Sequence, residues 1–271
     1  MTACAKANAF ADDLMMSGLF DSHAHYNDTQ LTENKVTPDL AFAEGVTCIL
    51  NAGTNLETSA ECLALAEQYP FCVAAVGIHP SDCGKCGELT DAMARLRELA
   101  AHPKAVAIGE IGLDYYWDDM PRDVQKNWFA AQMELAKELS KPVVIHDREA
   151  HGDTFEMICR YPEVVGVMHS YSGSIEMAKE YLRRGWYISF SGVATFKNAA
   201  RVREVVKTIP HDRILVETDC PYLAPVPMRG KMNHSGYLHY TAEALANELA
   251  LPVEDFVRMT TENAKRLFKM E

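Results

Sequence analysis

Six side chains in this sequence are of kinds that bind divalent cations, and they fall at the ends of short apolar runs: His23, His25, Glu110, His146, His169 and Asp219. The two nearest stand in Phe20-Asp21-Ser22-His23-Ala24-His25. Successive side chains of a β-strand alternate faces, so His23 and His25 point the same way and can chelate one ion. Alone, such a pair is as readily a polar loop whose rings are satisfied by hydrogen bonds. The other four also have ordinary alternatives. Glu110 can cap a following helix, His146 can be a core histidine, and Asp219 can pair with an arginine. An accidental meeting of all six at strand ends is much less expected than one shared site. Four imidazoles and two carboxylates exceed the four-coordinate shell of one zinc and suit two ions with a shared carboxylate. Two such ions, ~3.5–4 Å apart, acidify a water and neutralise charge on the attacked group and the leaving oxygen. Asp219 is suited to ligate one ion and to take the proton of the attacking water. Imidazole with carboxylate accepts zinc, manganese, cobalt or iron, and magnesium where oxygen dominates.

The elements that carry these residues follow a rhythm. Val46–Leu50, Phe71–Ile78, Val106–Ile108, Val143–Ile145, Val164–Met168, Trp186–Phe190 and Ile214–Val216 are short apolar runs. With the run before His23 they predict about eight strands. Amphipathic segments separate them, at Glu57–Gln68, Asp91–Ala101, Ile175–Arg184 and Val202–Thr208, with another after Pro121, which suits a first helical turn. Continuous apolar strands alternating with helices mean a parallel sheet, and eight units favour a closed (β/α)8 TIM barrel. An open doubly wound sheet would bring a dinucleotide site, but no G-x-G-x-x-G follows the first strand. Tyr240–Ala250 and Val253–Phe268 read as extra C-terminal helices, with Pro252 at the start of the second. The expected organisation is an N-terminal extension over 1–18, with a short helix at most, and one barrel domain over 19–271.

Composition narrows the class further. The chain has 271 residues, 48% hydrophobic, with 26 Lys+Arg against 38 Asp+Glu for a formal charge of −12. That balance excludes a broad basic face coating nucleic acid, yet allows a small site whose metals bring the positive charge. The eight cysteines lie mostly in apolar runs and read as small core residues. Cys83-Gly-Lys-Cys86 is a lone C-x-x-C and reads as an ordinary loop. Asp12 and Asp13 interrupt any secretion signal, and no run is long enough to span a bilayer. A cytoplasmic protein with free thiols is expected.

Six stretches then carry a resemblance: Asp21-Ser-His-Ala-His25, Gly77-Ile-His-Pro80, Gly109-Glu-Ile-Gly-Leu-Asp114, Ile145-His-Asp-Arg-Glu-Ala150, His169-Ser-Tyr-Ser-Gly173 and Glu217-Thr-Asp-Cys-Pro-Tyr-Leu-Ala-Pro225. Together they resemble the TatD family of metal-dependent deoxyribonucleases, amidohydrolase-type barrels. The resemblance implies His23, His25, Glu110 and Asp219 on one ion, and Glu110, His146 and His169 on the second, with Glu110 bridging. It implies hydrolysis of DNA phosphodiesters, often from an end. The family's Arg-Gly-x-x-Asn-Glu-Pro departs here to Arg229-Gly-Lys-Met-Asn233-His-Ser-Gly236.

Asp219 and Glu110 are therefore the expected catalytic pair, with two divalent ions (Mg, Mn or Zn) as cofactors. Arg148, two past His146, can clamp a phosphate at the same mouth. Arg229, with Lys231 beside it, and His79 are further candidate substrate contacts. Tyr115, Tyr116 and Trp117 can stack bases or pack under helices. The expected partner is DNA, single-stranded or at ends, with no membrane and no protein partner. Two rivals remain: a hydrolase of another ester or amide, such as an aminoacyl-tRNA deacylase, and a non-catalytic adaptor whose metal is structural.

Overall fold

The apolar runs become strands, and the amphipathic segments pack their apolar stripes against them. The computed structural model describes residues 17–117 and 119–270. The extension expected over 1–18 lies outside these residues apart from Ser17 and Gly18. The strands are β1 (Leu19–Ala24), β2 (Val46–Ala52), β3 (Cys72–Val76), β4 (Ala105–Asp114), β5 (Val143–Arg148), β6 (Gly166–Met168), β7 (Tyr187–Phe190) and β8 (Ile214–Val216). They pair in chain order, all parallel. Helices α1 (Thr29–Glu33) and α2 (Pro38–Ala43) lie between β1 and β2. Then α3 (Leu56–Gln68), α4 (Leu89–Ala100), α5 (Arg122–Leu139), α6 (His151–Cys159), α7 (Ile175–Leu182) and α8 (Ala200–Thr208) each lead to the next strand. The extra helices α9 (Leu238–Glu248) and α10 (Val253–Leu267) follow β8. This is the (β/α)8 barrel the rhythm predicts. No helix among the described residues is long and apolar enough to cross a membrane.

Local chemistry sets several boundaries. Asn55 accepts the Thr58 N–H and donates its own N–H to the Thr58 hydroxyl, so two of the orphan donors at the start of α3 are satisfied. Pro121 stands just before α5 rather than inside its first turn, where its missing N–H costs nothing. The run from Phe71 to Ile78 is strand only from Cys72 to Val76.

Alternate residues of the strands fill the barrel. Phe20, Leu50, Val73, Val144, Val167 and Leu215 form one inner cluster, closed at one end by Leu267 and Phe268. The intervening residues, such as Leu19, Ile49 and Ile145, pack outward with the helices.

Two irregularities position the functional face. β4 does not stop at Glu110 but continues to Asp114. Its register against β5 shifts between Ile108 and Ile111. Strict alternation from the inward Ala107 would turn Glu110 toward the outer helices; the shift turns it in, as β-bulges commonly do beside active sites. Gly112, at φ 143°, permits the sharp path after it, since a Cβ there would overlap the His146 carbonyl oxygen. The second irregularity is the seam between β1 and β8. It closes through one bridge, Ala24 to Cys220. Beside it the Asp219 N–H donates to the His23 carbonyl and the His25 N–H to the Cys220 carbonyl, both at 2.9 Å. The barrel is therefore sealed by the segments that carry three of the candidate ligands.

Candidate active site

The six expected ligands meet at the carboxyl ends of the strands. His23 Nε2 and His25 Nε2 are 3.0 Å apart, so the paired histidines do share a face. Glu110 Oε2 lies 3.5 Å from His23 Nε2 and 3.6 Å from His25 Nε2. Asp219 Oδ1 lies 3.7 Å and 3.4 Å from the same two nitrogens. The other Glu110 oxygen, Oε1, lies 2.8 Å from His146 Nδ1 and 3.0 Å from His169 Nε2. Donor groups small enough to surround an ion are His23/His25/Glu110, His23/His169/Asp219, Glu110/His146/His169 and His79/Asp114/His146, each with ligand atoms within 4.8 Å of one another.

Outer hydrogen bonds decide which ring nitrogen faces inward. His25 Nδ1 donates to the Ala52 carbonyl at 2.8 Å. His146 Nε2 donates to Asp114 Oδ2 at 2.9 Å. His169 Nδ1 donates to Glu217 Oε1 at 3.2 Å, and that oxygen also accepts the Ser170 N–H. Each bond leaves the inner nitrogen free for a proton or a cation, the arrangement typical of metal-ligating histidines. His23 Nδ1 is buried without such a partner; its ring instead stacks on His169 at 4.0 Å. Asp219 sits at φ 57°, a conformation aspartate tolerates better than most residues. Its loop is anchored from below. Buried Asp21 accepts the Thr218 N–H and hydroxyl, and Asn233 donates to the Thr218 and Tyr222 carbonyls.

The electrostatics follow from burial and crowding. Burial opposes charge on Glu110, yet His169, His23 and His79 hold its carboxyl well below the usual range. Burial also opposes charge on His169, but Glu110 and Glu217 keep it well above the ordinary histidine value. His146 is pushed up to about 8 against burial by its bonds to Asp114 and Glu110. Burial, with His169 alongside, pulls His23 down. Protons on His146 and His169 thus balance the carboxylates, and a bound cation would displace them.

A cavity of about 950 Å³ opens over this cluster, and His79, Trp117, Arg148 and Tyr222 are among its lining residues. His79 Nε2 is 3.9 Å from Glu110 Oε1, and burial beside His146 draws its pKa down to about 3. Arg148 reaches the mouth as expected. Arg229 is not among the residues that line the cavity: it stands exposed with its guanidinium 4.3 Å from the Phe196 ring centre. His234, which replaces the family's glutamate, accepts the Gly236 N–H and shapes a tight turn. Cys83 is buried with its thiol pushed up to about 12, and Cys86 is also a free thiol. Sequence reasoning missed Asp114 and Glu217. Asp114 lies four past Glu110, hence on the same face of a continuing strand, which was the available signal.

The family model described as TatD related DNase matches residues 20–269. The chain belongs to the TatD family. A metal-dependent hydrolase of Bacillus subtilis (strain 168), YabD, is 44% identical over 93% of this chain and 99% of its own length. The 3'-5' ssDNA/RNA exonuclease TatD of Escherichia fergusonii is 34% identical over 84% of this chain and 90% of its own. The crystal structure of YjjV, a TatD homologue from Escherichia coli K12, superposes with a TM-score of 0.87 at 27% identity, covering 95% of this chain and all of that one. This protein is a TatD-family metal-dependent hydrolase on a TIM barrel.

Proposed function

We propose that this TatD-family hydrolase cleaves phosphodiester bonds of DNA from the end of an unpaired strand, using two divalent cations. The observation that carries the two-cation reading is Glu110: Oε2 faces His23 and His25, whereas Oε1 faces His146 and His169. His23, His25, Glu110 and Asp219 would hold one ion, and Glu110, His146 and His169 the other. The chemistry of the donors fits. Four ligand atoms at ~2.0–2.1 Å from one ion stand about 3.4 Å apart, and the contacts of His23 and His25 with Glu110 and Asp219 run from 3.4 to 3.7 Å.

Two bound ions supply an acidified water and neutralise charge on the phosphate. The chain's own groups do the rest. Asp219 is half-buried, and His25 and His169 keep its carboxyl below the usual range, so it is ionised and ready to accept the water's proton. His79 Nδ1 accepts the Ser81 N–H, so its proton sits on Nε2, facing Glu110 and the cavity. From there it donates to a phosphate oxygen. Asp114 and Glu217 hold the imidazoles of His146 and His169 in the required tautomer.

DNA as substrate is supported by the family description and by the exonuclease from Escherichia fergusonii. The cavity volume, about 950 Å³, lies at the upper end of the ~300–1,000 Å³ of ordinary ligand sites. That suits a strand end more than a long duplex, as does the −12 charge. The test is digestion of end-labelled single- and double-stranded oligonucleotides by chelated protein reloaded with Mg, Mn or Zn, beside an aminoacyl ester. Stepwise shortening of the single strand is the expected result. Turnover of the ester alone, with every ion, overturns the reading.

A further inference from the structure

Three aromatic residues follow β4, and the structure gives them different surroundings. Tyr115 is tied down: its hydroxyl donates to Asp153 Oδ2 at 2.6 Å and the Arg122 guanidinium lies 4.1 Å from its ring centre. Tyr116 and Trp117 are 49% and 52% exposed. Their rings meet edge to face, with centroids 4.9 Å apart. Over them lies Arg148, its guanidinium 3.9 Å from the Tyr116 centroid and 5.6 Å from that of Trp117. A single exposed aromatic needs no explanation. Two of them beside a guanidinium, with Trp117 and Arg148 among the residues that line the cavity over the ligand cluster, expose π-surface on which another planar group can stack.

Its position is fixed to the chemistry by one carboxylate. Asp114 Oδ2 holds His146, while Asp114 Oδ1 accepts the Tyr116 N–H at 3.0 Å and the Trp117 N–H at 3.2 Å. Arg148 stands two residues past His146 in β5, a rise of about 6.6 Å. The backbone that carries the aromatic pair is thus tied through Asp114 to the His146 imidazole.

The geometry points to a base-stacking subsite, in which Trp117, Tyr116 and Arg148 hold an unpaired base next to the scissile phosphate. Every base has a π-face, so this surface selects unpaired strands without selecting sequence. A base in a duplex is already stacked and must first be pulled out of it. Arg148 adds a positive charge to the aromatic surface, which favours a phosphate-bearing strand over a neutral planar molecule. The inference rests on the phosphodiesterase reading above and adds what that site recognises.

The test is a cycle on the metal-loaded enzyme. kcat/KM is measured for wild type and Trp117→Ala on single-stranded oligonucleotides, either intact or with an abasic nucleotide at one of the last three positions. At one position the wild type is expected to lose about tenfold on removal of the base, in the range of a single base–aromatic stack. Trp117→Ala should lose the same factor on the intact strand and nothing more on the abasic one, with Trp117→Phe largely restored. Cleavage in which the two changes multiply independently at every position overturns the subsite and leaves the nuclease reading standing. No cleavage of any oligonucleotide by the wild type overturns both.

Discussion

The two ends of this barrel are made from the same eight strands, yet they differ in every physical respect. At the amino end the inward residues are Phe20, Val73, Val144 and Leu215, capped by Leu267 and Phe268. At the carboxyl end they are His23 and Glu110, which are buried, and His146 and His169, which are half-buried, with Glu110 close to all three rings. Apolar burial stabilises by roughly 25 cal/mol per Å², whereas buried ionisable groups cost free energy unless paired. One end holds the molecule together. The other is held in place by it, and TIM barrels divide their labour in this way.

The sharpest way to break that contrast is a matched pair of substitutions. His146→Ala should lower phosphodiesterase turnover by more than about 100-fold, beyond the usual loss of an outer partner. The melting temperature of the metal-free protein should hold or rise, because a crowded, half-buried donor is gone. Phe20→Ala at the opposite end should cost ~3–5 kcal/mol in urea unfolding while turnover per folded molecule persists. A His146→Ala protein as unstable as Phe20→Ala would erase the distinction.

Next in size is the support of the polar end. Asp114→Ala removes the partner of His146 Nε2 and should weaken metal binding by ~10–100-fold, read by competition with a chromogenic chelator. Unchanged affinity would mean that the imidazole is held by packing alone.

The smallest effect marks where ordinary surface electrostatics begin. His151 donates to Asp147 Oδ2 at 2.8 Å, and this bond raises its pKa against partial burial. A raised histidine pKa stabilises fully below the unfolded value of ~6.5 and fades as pH climbs through the folded value. Because the ring is partly exposed, the contribution should stay below about 1 kcal/mol. The melting-temperature gap between wild type and His151→Gln should therefore be wider at about pH 5 than at about pH 8; a gap that widens with pH would reverse the assignment.

The legible parts of the chain share a cause. An apolar run that stops at a histidine or a carboxylate is a local pattern, and each of His23, His25, His146, His169 and Asp219 ends or follows such a run. Asp114 was hidden because β4 was expected to stop at Glu110. Glu217 was hidden beside the more conspicuous Asp219. Arg229 was expected at the mouth on its place in the chain, but its loop turns it onto Phe196.

The sequence by itself determined the alternation of strand and helix, the polar residue types at strand ends and the family, because these depend on order along the chain. Only the tertiary structure decided that the β4 register shift turns Glu110 inward, that Asp219 reaches His23 and His25 across the closing seam, and that Tyr115 is tied to Asp153 and Arg122 while Tyr116 and Trp117 stand open under Arg148. Those outcomes depend on neighbours far away in the chain, and no local pattern encodes which strand will lie alongside or where its register slips.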